Sequence, residues 1–262
     1  MPLAVMLKKI KDAGYDGVEF SFANGDLYNR KTFIQLTEKL GLHTIAQQCF
    51  AEGTDFRTYR ESFRSNLEWL VSFNPMFINS HTGKDFYSFE QNCELIMMAE
   101  DIAAKANIEI VHETHRGRFP FSPSQCVAYL EKFPQLQFTA DFSHFCVVSE
   151  SYLEEQHTIL QKIQQRSFHI HARVGHPQGP QVPDPRLPEW SPALVHHLEW
   201  WDTIINFRKP GIGSSLSVTP EFGPIPYMPV TPFTLQPVAD QWEVNLYIKQ
   251  LLKSRYIVNN EQ

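Results

Sequence analysis

Short runs of β-forming residues recur along this 262-residue chain at an almost regular interval. Most of them begin 26 to 33 residues after the previous one, which is the length of one strand and one crossover helix. The runs cover residues 17–21, 43–48, 76–80, 108–113, 137–141, 167–171 and 216–221. This interval predicts parallel strands joined by right-handed crossovers, which form either a closed barrel or an open sheet covered on both faces.

The segments between these runs have the apolar spacing of helices that pack on a sheet. In segment 56–73, apolar side chains follow one another at three or four residues, at Phe56, Tyr59, Phe63, Leu67 and Leu70. Similar patterns predict helices at 3–13, 28–40, 88–106, 122–133, 152–165, 194–207 and 238–252. No Gly-x-Gly-x-x-Gly loop follows an early strand, which disfavours a dinucleotide-binding open sheet. We therefore predict one α/β domain over residues 1–262, a TIM (β/α) barrel.

The predicted barrel has seven strands, whereas a complete one has eight. Because the chain starts with a helix at 3–13, the first strand is the one that is missing. An open edge in a parallel sheet leaves backbone groups unpaired and apolar side chains exposed. We therefore expect that the natural chain begins upstream, or that another segment or chain covers the gap.

Composition excludes several classes of function. The formal net charge of −6 argues against nucleic acid or an anionic membrane as a partner, because both attract a surplus of Lys and Arg. No signal sequence or apolar run of about 18 residues is present, which predicts a cytoplasmic protein. The four cysteines form no Cys-x-x-Cys pair, so neither a zinc ribbon nor a redox motif is predicted. Chemistry on a small molecule is the remaining expectation.

Polar residues stand at the carboxyl ends of the predicted strands: Glu19, Gln48, His81, Glu113, Asp141, His171 and Glu221. In a parallel barrel such inward positions converge at one mouth, so two Glu, one Asp and one His from four strands are expected to meet. Three carboxylates placed together repel one another unless a cation lies between them. One imidazole with three carboxylates suits Mn²⁺, Co²⁺, Mg²⁺ or Zn²⁺.

Four of these strand ends carry recognisable motifs. The segments HETHRGR (112–118), DFSH (141–144), HIHAR (169–173) and TPEFGP (219–224), preceded by AGYDGVEF (13–20), resemble the sugar (phosphate) isomerase and epimerase branch of the xylose-isomerase-like superfamily. The resemblance implies one divalent metal ion, held by Glu113, Asp141, His171 and Glu221. It also implies that Glu113 and Glu221 act as an acid–base pair on opposite faces of the substrate, and that His144 and Arg173 contact the substrate.

Three further residues are candidates for substrate binding by position alone: His81 and Glu19 at strand ends, and His115 in the loop after Glu113. Arg116 lies next to His115 in the same loop. The leading hypothesis is an isomerase or epimerase that moves a proton next to the carbonyl of a keto-sugar, through an enediolate.

Three other functions remain open. One is a lyase or hydratase that acts on an oxidised sugar with the same metal site. Another is a hydrolase related to the DNA-repair endonucleases of the superfamily, which the acidic net charge disfavours. The third is a sugar-binding barrel without catalysis. The expected partner is a small sugar, and self-association into a homo-oligomer is left open.

Overall fold

A computed structural model describes residues 1–208 and 216–256. Seven strands run parallel in one sheet whose spatial order follows the sequence. They are β1 (Gly17–Phe20), β2 (His43–Gln48), β3 (Phe77–Ser80), β4 (Glu109–Glu113), β5 (Phe138–Ala140), β6 (Ser167–Ala172) and β7 (Ser217–Pro220). The predicted seven-stranded barrel is confirmed, and each strand lies within one or two residues of its predicted position.

Helices alternate with these strands. They are α1 (Leu3–Asp12), α2 (Leu27–Leu40), α3 (Phe56–Val71), α4 (Phe89–Ala106), α5 (Pro123–Lys132), α6 (Ser143–Ser149), α7 (His157–Gln164), α8 (Ser191–Arg208) and α9 (Gln241–Tyr256), with a short 3₁₀ turn at Pro188–Trp190. Side-chain caps are present at the starts of α2, α3, α4 and α5. Asp55 and Ser88, for example, each form a capping box at the start of α3 and α4. None of the helices in the described part of the chain is both long and apolar enough to cross a membrane.

Two compact units make up the chain. The first comprises Met1–Glu113 with Gly117–Phe119, and its core lies between β1–β4 and helices α1–α4. An aromatic cluster fills part of this core, where the ring of Phe20 lies 4.3 Å from Phe33 and 5.0 Å from Phe73. The stripe predicted on α3 is buried at Tyr59, Phe63, Leu67 and Leu70.

The second unit comprises Thr114–Arg116 with Pro120–Gln262. Its core contains Phe138 of β5, Phe142 and Phe145 around the start of α6, and Trp200 and Trp201 of α8. Phe142 stacks on Phe145 at 5.4 Å and meets Trp200 edge-on at 6.0 Å. Both tryptophans of α8 are therefore packing residues.

The two largest differences from the predicted elements lie at α7 and α6. The helix predicted at 152–165 is shorter and starts at His157, because Leu153 takes a positive φ of 63° that interrupts helical geometry. The seven-residue helix α6 directly after β5 was not predicted. Its sequence, SHFCVVS, is too short and too apolar for a helical period to be visible.

A proline-rich loop follows β6, and buried contacts hold it in place. The imidazole of His197, fully buried on α8, accepts a hydrogen bond from the backbone N–H of Gly175 at 3.2 Å and donates one to the carbonyl of Ala193 at 2.8 Å. A side chain at Gly175 would meet the backbone of Ser143 at 2.8 Å, so only glycine fits there. Farther along the loop, Gln181 exchanges two hydrogen bonds with the backbone of Gly223.

This arrangement predicts acid-sensitive stability. Burial lowers the pKa of His197 to about 4, against an ordinary value of 6.5. The unfolded chain therefore binds this proton more readily than the folded one, so stability falls as the pH drops from about 6.5 to about 4. At about 1.4 kcal/mol per pKa unit, the loss approaches about 3 kcal/mol. Urea unfolding at a series of pH values measures it.

The measured quantity is the slope of the free energy of unfolding against pH, not the free energy of unfolding at one pH. We expect the variant His197→Gln to have a flatter slope in this window than the wild-type chain. The matched control is His43→Gln, which removes an exposed imidazole from the start of β2. Equal slopes in His197→Gln and the wild-type chain would contradict the assignment.

Candidate functional site

Three side chains of metal-ligand type converge in the second unit. Asp141 is the first residue after β5, His171 lies near the end of β6, and Glu221 is the first residue after β7. One ligand atom from each lies within 4.8 Å of the others, and Nδ1 of His171 lies 2.7 Å from Oε2 of Glu221. The carboxyl ends of neighbouring parallel strands thus bring an aspartate, a histidine and a glutamate together, as their spacing in the sequence predicted.

Local hydrogen bonds set the orientation of the two carboxylates. Oδ1 of Asp141 accepts a hydrogen bond from the backbone N–H of Ser143 at 3.1 Å and another from the Ser143 hydroxyl. The peptide after Glu221 is clamped by Asn245 of α9, which binds both the N–H and the carbonyl of Phe222, at 2.8 and 3.0 Å. These contacts therefore hold both acidic residues in place at the ends of their strands.

A buried arginine joins the same two carboxylates. Nη2 of Arg173 lies 2.6 Å from Oδ2 of Asp141 and 3.1 Å from Oε2 of Glu221. The side chain of Arg173 is only 3% exposed. Burial alone would lower its pKa, but the charges of Asp141 and Glu221 raise it above its ordinary value. Arg173 is thus a permanent positive charge within the candidate site, where it was expected to contact substrate.

Aromatic and imidazole rings surround this arginine. The guanidinium carbon of Arg173 lies 4.4 Å from the ring centre of Tyr227, and that of Arg116 lies 5.6 Å from the same ring. His144 lies 3.4 Å from Arg173 through Nε2, and its ring centre lies 3.8 Å from that of His115. Burial raises the pKa of Tyr227 although both arginines act to lower it. The second unit therefore brings together six of the nine predicted site residues: Asp141, His144, His171, Arg173, Glu221 and His115.

The other three predicted residues, Glu19, His81 and Glu113, meet in the first unit. Glu113 ends β4 with a side chain that is 0% exposed. Its Oε2 accepts hydrogen bonds from Nδ2 of Asn79 at 2.7 Å and from Nε2 of Gln47 at 3.4 Å, and it lies 3.0 Å from Nε2 of His81. Nδ2 of Asn79 also donates to Oε1 of Glu19 at 3.0 Å. A single amide group therefore links Glu19 to Glu113.

Asn79 and Gln47 were missed at the sequence level because only the last residue of each strand was considered. The parallel register pairs Gln47 with Asn79 and Asn79 with Val111, so all three share the face of Glu113 two residues farther on. Gln48, which the sequence suggested as a strand-end polar group, instead binds the backbone of His81 and Ala51. A polar residue at an inward position inside a short strand was the available signal.

Two other histidines near the site have structural partners. His112 is buried and lies 2.7 Å from the Thr82 hydroxyl through Nδ1, and burial lowers its pKa to about 3. His169 contacts Ser217 through Nδ1 at 2.7 Å and Thr219 through Nε2 at 3.1 Å. These contacts indicate packing and supporting roles for both histidines.

A profile of the xylose isomerase-like TIM barrel matches residues 7–180. The chain belongs to this family. The superfamily suggested by the four motifs is thereby confirmed. No curated protein sequence matches the chain significantly.

Solved structures agree with the xylose isomerase-like fold. The D-allulose 3-epimerase from Methylomonas sp. superimposes with a TM-score of 0.67 at 14% identity, covering 96% of this chain and 91% of that one. The probable 3-DHS dehydratase AsbF from Bacillus anthracis gives 0.62 at 14% identity, covering 97% and 94%. A xylose isomerase-like TIM barrel protein from Mycobacterium smegmatis, in complex with magnesium, gives 0.58 at 12% identity, covering 96% and 88%. At these identities the likeness establishes the fold.

Proposed function

We propose that this chain is a divalent-metal-dependent isomerase or epimerase of keto-sugars. The observation that carries the proposal is the convergence of Asp141, His171 and Glu221, each from a different strand end, within 4.8 Å of one another. The chain belongs to the xylose isomerase-like barrels, and the solved structures that resemble it include an epimerase. In such a barrel, we infer that this group of side chains forms part of a metal site.

The donor atoms suit a divalent cation. Two carboxylates and one imidazole match the preferences of Mn²⁺, Co²⁺, Mg²⁺ and Zn²⁺, and no cysteine belongs to the group. We propose Glu113 as the fourth ligand, since it ends β4, the strand next to β5 in the sheet order. Three ionised carboxylates and one guanidinium, that of Arg173, leave a charge of minus two. One divalent ion would neutralise it.

Each protein group then has a defined role. When bound, the cation would polarise a carbonyl and the neighbouring hydroxyl group of the substrate and stabilise the negative charge that develops on their oxygens. One of the two glutamates, Glu113 or Glu221, would take the proton from the hydroxyl-bearing carbon on one face of the substrate. The other would return a proton to that carbon on the opposite face. His144 and Arg173 would bind substrate hydroxyl groups. The hydrogen bonds from Asn79 and Gln47 would hold Glu113 in place for this transfer.

Proton exchange at carbon tests the reaction. We expect the metal-loaded protein to introduce deuterium from D₂O next to the carbonyl of a ketose, followed over a panel of ketoses by proton NMR. A stereoisomer with deuterium at that carbon supports an epimerase, whereas exchange followed by loss of water identifies a lyase. Exchange that is absent from every ketose, and from oxidised sugars, would refute both reactions.

Metal content tests the site independently of any substrate. We expect about one equivalent of divalent metal per chain after supplementation and desalting, measured by elemental analysis. The variant Asp141→Asn should bind the metal much more weakly, whereas Asp101→Asn, at an exposed position of α4, should match the wild-type chain. A stoichiometry near zero in correctly folded protein would contradict the metal site.

A further inference from the structure

The first unit contains a second cluster of charged side chains, formed by Lys84 in the loop after β3 and Arg118 in the loop after β4. Both lie near Tyr59, a residue of α3 that is only 1% exposed. Nζ of Lys84 lies 5.3 Å from the centre of the tyrosine ring. Arg118 interacts with the tyrosine hydroxyl and acts to lower its pKa. The two cations thus lie around the same side chain.

Neither cation has a carboxylate oxygen within 4.0 Å in the described part of the chain. Nε of Arg118 is buried and has no hydrogen-bond partner there. The acidic residues whose charges reach Lys84, Asp85 and Glu52, are exposed and form no ion pair with it. Burial, followed by the positive charge of Arg118, lowers the pKa of Lys84. Placing two cations together without a counter-ion costs free energy, which a bound anion would offset.

The loops that carry these cations are held rigidly. The buried Asn92 side chain binds both the N–H and the carbonyl of Lys84, at 3.3 and 3.0 Å. Gly83, with φ of 66°, leaves room for that amide, because a Cβ there would lie 2.0 Å from Oδ1 of Asn92. The N–H of Phe119, next to Arg118, binds the carbonyl of Thr82 at 3.2 Å and ties the two loops together. The cations are therefore positioned before any ligand binds.

The cluster adjoins the acid–base residue proposed above. Lys84 follows His81 by three residues, and His81 contacts Glu113. Arg118 stands in the loop directly after Glu113, and its neighbour Phe119 binds the loop of Lys84 through the carbonyl of Thr82. A substrate held at Glu113 would thus have Lys84 and Arg118 within reach of another part of the same small molecule.

We infer that Lys84 and Arg118 bind an anionic group of the substrate, so that the sugar is a phosphate ester or a sugar acid. The inference rests on the proposed function for its reaction, but the anion subsite itself is testable without turnover. A guanidinium binds phosphate or carboxylate in a bidentate manner, and a nearby ammonium adds a point charge. Both anion classes share this chemistry.

Affinities for three matched sugars test the inference. Titration calorimetry on the metal-loaded full chain would compare D-fructose, D-fructose 6-phosphate and D-fructuronate. We expect one of the two anionic sugars to bind about 10- to 100-fold more tightly than fructose, as charge-assisted hydrogen bonds require. The tighter anion identifies the source as phosphate or carboxylate. If neither anionic sugar binds more tightly than fructose, the inference is overturned.

Variants show whether the tighter binding of an anionic sugar comes from Lys84 and Arg118. The double variant Lys84→Met, Arg118→Met should bind the anionic sugar no more tightly than fructose. The double variant Lys84→Arg, Arg118→Lys should keep most of the preference, which excludes a folding defect as the cause. The control Arg64→Met, Lys105→Met removes the same charge from exposed positions on α3 and α4. An equal loss in this control would overturn the inference, because it would reflect overall charge.

The two proposals fail in different ways. Deuterium exchange into a ketose without any preference for anionic sugars would refute the anion subsite and leave the reaction in place. An anionic preference that depends on Lys84 and Arg118, without exchange in any sugar, would support the subsite and refute the proposed reaction.

Discussion

Replacing Glu221 by Gln is expected to slow deuterium exchange by about 10²- to 10⁴-fold in the epimer whose proton faces Glu221, the contribution typical of one general acid–base group. Gln keeps the size of the side chain and one oxygen, but it accepts no proton from carbon. The change also removes the ionic contacts that Oε2 of Glu221 makes with His171 and Arg173. The measurement is the rate of deuterium incorporation by proton NMR at saturating metal.

Metal binding must be separated from proton transfer, because Glu221 is proposed for both roles. Exchange rates are therefore compared per equivalent of bound metal, determined on the same samples. The variant Glu155→Gln, at an exposed position of the second unit, is the matched control and should exchange at the wild-type rate. An exchange rate of Glu221→Gln near that of the control, with metal bound, would remove Glu221 from the reaction.

The proposed pair of glutamates adds a sharper expectation. If Glu113 and Glu221 serve opposite faces, each Gln variant should lose exchange with the epimer whose proton it faces and retain some exchange with the other epimer. Complementary losses would support two bases. Loss of exchange with the same epimer in both variants would indicate a single base and a supporting role for the second glutamate.

The sequence predicted the fold and the grouping of Asp141, His171 and Glu221 because both follow from strand periodicity. In parallel strands of similar length, the residues at the carboxyl ends point to one edge, whatever the helices between them contain. Two of these residues lie one position beyond the regular strand. This offset did not matter, since the first loop residue still emerges at the same edge.

The contacts that orient these groups could not be predicted in the same way. Asn79 of β3 contacts Glu113 of the neighbouring strand β4, and only the strand register shows that the two side chains share a face. The pairing of Arg173 with two carboxylates depends on the position of its guanidinium against the ring of Tyr227. The clamp of Asn245 on Phe222 joins residues 23 positions apart through a side chain on α9. Such contacts depend on tertiary packing, which periodicity does not encode.

The pairing of Arg173 leads to the second large expected effect, on stability. Arg173 forms ion pairs with Asp141, which is fully buried, and with Glu221, which is 27% exposed. Removing one partner of a buried ion pair leaves charge without compensation, which typically costs about 3–5 kcal/mol. We therefore expect Arg173→Gln to lower the free energy of unfolding of the metal-free protein by about this amount, measured by urea denaturation in the presence of chelator.

A matched contrast and added metal make this prediction specific. Arg186→Gln breaks the pair between Arg186 and Asp184, in which Arg186 is 41% exposed, and should cost about 1 kcal/mol or less. Saturating Mn²⁺ should restore much of the stability lost in Arg173→Gln, because a divalent ion at Asp141, His171 and Glu221 would neutralise the same carboxylates. It should restore little in Arg186→Gln. A loss in Arg173→Gln no larger than in Arg186→Gln would show that the buried pair contributes no more than a surface one. A large loss that Mn²⁺ leaves unchanged would place the cation elsewhere than at these carboxylates.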